Sequence, residues 1–309
     1  MFSIQVIILT YKNRFHLLEQ VIKSLSGNEE IKDVLIVDNG CDYNLKDMLA
    51  ASFQELKFNI DTLIINEPAG TTKGLSMAFE KINQKNTHVL ILDDDNLLQG
   101  NIKEAKSMIS DNIILNFLRE GREPYTSFFK SGKNLKLVNN SFMGFSIISY
   151  LRFQSQSINS NKSSIESDYL PYGGTLIPLK VFSKLNINKD FILYHDDIDF
   201  FYRCKLNDYK LFITNKCKII DIDISWHDKK LDLLASIKLN PENTYYAIRN
   251  KVYFEKSVKK NDIVFFMNTI AWRTVYFFKF FKRRKTQEYK ILTKALNDGL
   301  KKKLGQYEK

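Results

Sequence analysis

Short apolar runs that stop at polar clusters, separated by stretches of helical period, set the strongest limit on how this chain folds. Residues 4–9 are apolar and β-branched, 14–25 carry apolar side chains at helical spacing, and 34–37 form a second apolar run ending at Asp38-Asn39-Gly40. Strand, helix and strand in that order read as a βαβ unit and hence a parallel sheet. The alternation continues with a run at 63–65, a helix near 72–82 and a run at 88–92 that halts at Asp93-Asp94-Asp95. Polar clusters that end buried runs fall at the carboxyl edge of the sheet, where open α/β folds bind ligands. From 100 to 168 the pattern is less regular, and an Asn/Ser-rich stretch over 155–167 reads as a loop. Regular structure is expected again at 169–178, and helical period over 243–254, 263–281 and 288–304.

Composition narrows the classes. A chain of 309 residues, 44% hydrophobic, can bury one large core or a core with an appendage, which excludes disorder throughout. Cys41, Cys204 and Cys217 show neither metal-ligand spacing nor an even-numbered framework. Residues 2–9 are too short for the apolar segment of a secretory signal and lack a basic flank, so they read as a first strand. Both features point to the cytoplasm. The formal net charge of +11 is unevenly spread: residues 229–309 hold 20 Lys and Arg against 7 Asp and Glu, whereas residues 1–228 hold 26 against 28. A near-neutral body over 1–228 with a basic helical appendage over 229–309 follows, and anionic lipid head groups attract such appendages.

Within the appendage, 263–281 is 19 residues long but contains Asn268, Arg273 and Lys279, each costly at a bilayer centre. Trp272, Tyr276, Phe277, Phe278, Phe280 and Phe281, followed by Lys282-Arg283-Arg284-Lys285, read instead as a helix lying in a membrane interface. A packing helix, between domains or in a homo-oligomer, is the competing reading.

Three adjacent carboxylates repel one another unless a cation or protons intervene. Residues i and i+2 of an extended chain point to one side, so Asp93 and Asp95 are candidate ligands for a hard divalent ion such as Mn²⁺ or Mg²⁺. A solvated strand-end turn is the alternative. The second cluster, His195-Asp196-Asp197-Ile198-Asp199-Phe200, precedes a helix expected at 201–206. Asp197 is the candidate general base and Asp199 the candidate helix cap. His227, in Ser225-Trp226-His227-Asp228, is a candidate metal ligand with a packed or surface histidine as its alternative. Two acidic clusters would repel phosphate, so nucleic acid is not expected as a partner.

The order of these motifs resembles the inverting glycosyltransferases of family 2, particularly bacterial galactofuranosyl- and rhamnosyltransferases. The matching residues are Thr10-Tyr11-Lys12-Asn13-Arg14, Val37-Asp38-Asn39, the stretch Asn66-Glu67-Pro68-Ala69-Gly70-Thr71-Thr72-Lys73-Gly74, Asp93-Asp94-Asp95, Asp196-Asp197-Ile198-Asp199-Phe200, Tyr245-Tyr246-Ala247-Ile248-Arg249-Asn250, and Asp298-Gly299-Leu300. The resemblance implies a GT-A fold, a Rossmann-like and mostly parallel sheet flanked by helices, binding a nucleotide sugar linked to UDP or dTDP, with galactofuranose or rhamnose as the sugar. It implies that Thr10, Tyr11, Arg14, Asp38, Asn39, Gly70, Lys73 and Asp94 line the donor pocket, with Asp94 at the ribose. Asp93, Asp95 and His227 would hold the metal, Asp197 and Asp196 would serve catalysis, and Gly173, Gly174, Tyr245 and Arg249 would position the sugars. The acceptor would be a cell-surface polysaccharide or a polyprenyl-linked oligosaccharide at the inner face of the membrane. A nucleotidyltransferase and a non-catalytic sugar-binding module stay as alternatives.

Overall fold

The computed structural model describes residues 2–65, 70–148, 162–223 and 232–307. Contacts group the chain into two units: Met1–Lys136, Ser157–Ile187 and Phe200–Ser225 in one, Leu137–Gln156, Asn188–Asp199 and Trp226–Lys309 in the other.

The first unit is a sheet layered with helices. Its opening strands are β1 (Ile4–Lys12), β2 (Ile31–Cys41), β3 (Asn59–Ile64) and β4 (His88–Asp93), alternating with helices α1 (Phe15–Leu25), α2 (Leu45–Ser52) and α3 (Thr71–Phe79). They run parallel in the order β3-β2-β1-β4, the arrangement that right-handed βαβ crossovers produce. β1 is central, and Ile4, Val6, Ile7 and Ile8 are fully buried, which is why its sequence is a continuous apolar run instead of an alternating one. The sheet continues through β8 (Thr175–Pro178), β6 (Ile113–Arg119), β9 (Lys210–Asp221) and β5 (Asn96–Gln99), with β7 (Ser164–Glu166) also on β9. Helix α4 (Tyr125–Ser131) follows β6.

β6 falls in the region that the sequence pattern left irregular. Asn116 and Arg119 break its apolar run, and the structure supplies their partners. Asn116 Nδ2 donates to Thr175 Oγ1 at 2.8 Å and to the Gly173 carbonyl at 3.2 Å inside the sheet. Of the stretch 155–167 read as a loop, residues 155–161 lie outside the described residues and 164–166 form β7.

The second unit is helical: α6 (Leu233–Leu239), α7 (Pro241–Val258), α8 (Asp262–Lys279) and α9 (Gln287–Leu300). Its core joins Tyr245, Tyr246, Val252, Phe265, Trp272, Leu292 and Leu296. A Cβ at Gly299 would stand 2.6 Å from the Arg249 carbonyl oxygen, so only glycine lets α9 approach α7 this closely. Helix α5 (Asp196–Leu206) carries the second acidic cluster in its first turn.

Candidate active site

Register brings the first cluster together. Thr10 pairs with Asp38 across β1 and β2, and Leu9 pairs with Asp93 across β1 and β4, so three strand ends deliver polar groups at one level of the sheet. Thr10 Oγ1 donates to Asp94 Oδ2 at 2.9 Å, and Arg14 Nε donates to both Asp94 oxygens at 2.9 and 3.0 Å. Arg14 also reaches Asp95 at 3.3 Å and Asp223 at 2.5 Å, with its guanidinium 5.2 Å from the Tyr11 ring centre. Burial opposes the Arg14 charge, but the hydrogen bonds and charges of Asp94 and Asp223 outweigh it and raise its pKa.

On the other side of the cluster Arg119, from the end of β6, donates to Asp93 Oδ2 at 3.1 Å and to Asp221 Oδ1 at 2.8 Å. Asn96 ties the same groups: its Nδ2 donates to Asp95 Oδ1 at 3.0 Å and Asp221 Oδ1 at 2.9 Å, and its Oδ1 accepts the Asp93 N–H at 3.0 Å. Gly173 lies against this network; a Cβ there would meet Asn96, would stand 2.5 Å from Arg119 Nη1 and would stand 2.8 Å from Asp93 Oδ2. Gly174 adopts φ +81°, a left-handed conformation that side chains disfavour. The glycine pair thus permits the chain to pass beside the carboxylates.

Asp93, Asp94, Asp95, Asp221 and Asp223 face two guanidinium groups, Arg14 and Arg119, which leaves negative charge in excess. Burial, then the charges of Asp93 and Asp94, push the Asp95 carboxyl up to about 7. Hard oxygen donors carrying surplus charge fit Mg²⁺ or Mn²⁺. Among the described residues no group of three or more His, Cys, Asp or Glu is placed to hold a metal ion, and His227 lies outside the described residues.

Sequence reasoning missed Arg119, Asp221 and Asp223. The available signal was a charged residue closing each of two apolar runs, β6 and β9, the same rule that singled out Asp38 and Asp93. Asp94 was expected at the ribose. It is only 3% exposed with both oxygens engaged, so the structure makes it the anchor that holds Arg14 and Thr10.

The remaining donor-side residues are spread along β2 and α3. Asp38 Oδ1 accepts the N–H groups of Gly40 and Cys41 at 3.0 and 2.8 Å, fixing the turn after β2, and Asn39 beside it is half-buried. Residues 66–69 lie outside the described residues; Gly70 caps α3, and Lys73 is exposed in its first turn. Gly74 is a packing glycine, since a Cβ there would stand 2.8 Å from Leu9 Cδ1.

In the second unit, Asp196, Asp197 and Asp199 all occupy the first turn of α5, where the helix dipole favours negative charge. Asp199 is not the cap: its N–H already donates to the His195 carbonyl at 3.0 Å. The approach is strained, with Ile192, Tyr194 and His195 at φ 64°, 66° and 63°, a region costing about 1–3 kcal/mol for each such residue. Helix α7 clamps it. Asn250 Nδ2 donates to the carbonyls of Phe191, Leu193 and Tyr194 at 2.9, 2.7 and 2.9 Å, and Arg249 Nη1 donates to the Gly305 carbonyl at 2.5 Å. Tyr245 and Arg249, expected to touch sugars, are 3% and 1% exposed, and Tyr245 donates to Asp298 Oδ2 at 2.7 Å. Both thus contribute to packing and to this clamp.

No protein-family model matches the chain, and no curated protein matches it in sequence. In structure it is similar to S. aureus TarS 1-349, with TM-score 0.58 and 16% identity over 97% of this chain and 80% of that one. It is similar to the same protein in complex with UDP-GlcNAc, with TM-score 0.57 and 16% identity over 97% and 81%. A third likeness is to GalNAc-T7 with UDP, GalNAc and Mn²⁺, with TM-score 0.57 and 11% identity over 82% of this chain and 47% of that one. The fold is therefore that of the GT-A glycosyltransferases, as the motif order implied.

Proposed function

We propose that the chain is an inverting glycosyltransferase that moves a sugar from a nucleotide-sugar donor to an acceptor hydroxyl. The observation that carries this reading is the cluster at the ends of β4 and β9, where five carboxylates exceed the two guanidiniums of Arg14 and Arg119 on a GT-A sheet. Thr10, Tyr11, Arg14, Asp38, Asn39, Gly70 and Lys73 are the proposed donor residues, and Asp94 orients Arg14 and Thr10 among them. Asp93 and Asp95, with His227, would hold Mn²⁺ or Mg²⁺, which when bound offsets charge on the departing diphosphate.

Asp197 is the proposed base, taking the proton of the acceptor hydroxyl as that oxygen attacks the anomeric carbon, and Asp196 positions the acceptor. Attack from the face opposite the leaving group inverts the configuration. For the donor, the motif resemblance supports UDP-galactofuranose or dTDP-rhamnose. For the acceptor, it supports a surface polysaccharide or polyprenyl-linked oligosaccharide at the cytoplasmic face of an anionic membrane. The basic excess over 229–309 supports that location.

The deciding experiment is a thermal-shift panel of nucleoside diphosphates and nucleotide sugars with and without Mn²⁺, since a ligand bound only by the folded state must stabilise it. A UDP- or dTDP-dependent rise, larger with Mn²⁺ and reduced in Asp95→Ala, is expected. No rise with any nucleotide overturns the reading. Asp197→Asn should keep the donor shift and lose turnover by about a hundredfold or more, as removal of a general base does. Donor binding with no transfer in the unaltered protein would favour a sugar-binding module.

A further inference from the structure

Among the described residues, helix α8 leaves one face exposed. Phe265, Asn268, Thr269 and Trp272 form its buried side. On the other side Ile263, Phe266, Met267, Ile270 and Phe278 are 71, 62, 55, 49 and 69% exposed. At 3.6 residues per turn these positions, with Phe277 and Phe281, fall on one stripe. Between the terminal Asp262 and Lys279 the one charged residue is Arg273, half-buried beside the stripe and donating to Asn297 Oδ1 at 2.7 Å. The exposed stripe is therefore uncharged along a helix of about 27 Å at 1.5 Å per residue. A contiguous apolar surface of this kind marks an interaction site.

The sequence pattern pointed to a different set of residues. It assigned Trp272 and Phe280 to the interface, whereas the structure buries them to 6% and 3% and presents Ile263, Phe266, Met267 and Ile270 in their place. The aromatic run is shared between core and surface.

Charge selects the occupant. Lys259 and Lys260 precede the helix, while Lys279, Lys282, Arg283, Arg284 and Lys285 follow its apolar stripe, the last four exposed. The Arg284 guanidinium lies 4.1 Å from the Phe281 ring centre and 5.7 Å from that of Phe277, which joins the cationic end to the apolar face. A second copy laid parallel on this face would bring residues 279–285 against their own copies, like charge against like, and an antiparallel one would bring them against the end that carries Lys259, Lys260 and Asp262. Among the described residues no helix is long and apolar enough to cross a membrane.

We infer that this face of α8 lies flat on an anionic bilayer leaflet, with Phe266, Ile270 and Phe278 among the acyl chains and residues 279–285 among the head groups. The inference deepens the membrane partner of the proposed function and rests on that reading. A cleft of about 460 Å³ between α8 and α9, lined by Tyr276, Phe277, Phe278, Leu292 and Leu296, continues the apolar surface.

The test is co-sedimentation of the full chain with phosphatidylcholine vesicles, with and without phosphatidylglycerol, at low and high salt. Two variants accompany it: Phe266→Ser with Ile270→Ser and Phe278→Ser, and Lys282→Glu with Arg283→Glu. The unaltered protein should pellet with anionic vesicles, less at high salt. Both variants should lose at least tenfold in vesicle affinity while keeping the nucleotide-dependent thermal shift. Wild-type affinity in the serine variant, or equal binding to neutral vesicles, overturns the inference. A concentration-dependent dimer that the serine variant abolishes, without vesicle binding, overturns it in favour of a second copy. If the serine variant does not fold, the exposed charge-reversal pair decides. The nucleotide shift is read without vesicles, so its absence alongside intact vesicle binding would sink the transferase and leave the surface standing.

Discussion

The carboxylates at the end of β4 are tied to two guanidinium groups, whereas the approach to those at the start of α5 is held through its backbone carbonyls and carries left-handed residues. In the first group Arg14 and Arg119 contact Asp93, Asp94, Asp95, Asp221 and Asp223 between them. In the second, Asn250 holds the carbonyls of Phe191, Leu193 and Tyr194, and Arg249 holds that of Gly305. Carboxylate–guanidinium pairing organises the first region, and α7 holds the backbone of the second. A mutation at the first should therefore unbalance charge, and a mutation at the second should release a conformation.

Arg119→Met separates the two most sharply. It leaves Asp93 and Asp221 without their guanidinium, and losing one partner of a largely buried pair costs about 3 kcal/mol or more. Urea denaturation should show that loss, and it should shrink when Asp221→Asn is added. A change under about 0.5 kcal/mol would mean that the carboxylates do not depend on side-chain cations.

Asn250→Ala addresses the clamp. Three carbonyls lose their shared donor, and the left-handed Ile192, Tyr194 and His195 lose their restraint, for an expected cost of about 2 kcal/mol. Hydrogen exchange of residues 190–197 should quicken more than that of β4. Equal quickening in both regions would erase the distinction.

A smaller effect is expected from pH. Desolvation, with the Lys251 charge adding to it, pushes the His195 imidazole down to about 3. The unfolded chain takes up that proton near the ordinary value of about 6.5, so stability is intact above 6.5 and falls as pH drops toward 3. His195→Gln should flatten the stability curve across that window by up to one proton. An unchanged slope would remove His195 as its source.

The smallest change serves as the reference. Lys23 and Glu19 pair at 2.7 Å on the exposed side of α1, and Glu19→Gln should cost less than about 0.5 kcal/mol. A larger loss there would show that exposed pairs rival the buried cluster.

The sequence by itself determined the parallel βαβ opening of the sheet and its strand-end carboxylates. Apolar runs ending in Asp38 and Asp93 are local signals, and parallel pairing through βαβ units then forces those ends to one edge. Gly173 could be read as a point of close approach, because only a missing Cβ allows one. What the tertiary structure alone decided depends on residues far apart in the chain. Arg119 and Asp221, 102 positions apart, meet only because β6 and β9 pair in parallel. Asn250 was visible as part of a motif, but its grip on the Phe191–Tyr194 carbonyls, 56 to 59 positions away, was not. The split of the aromatic run in α8 follows the same rule. Periodicity marks which residues are apolar, while the helices that cover one side decide which of them stay exposed.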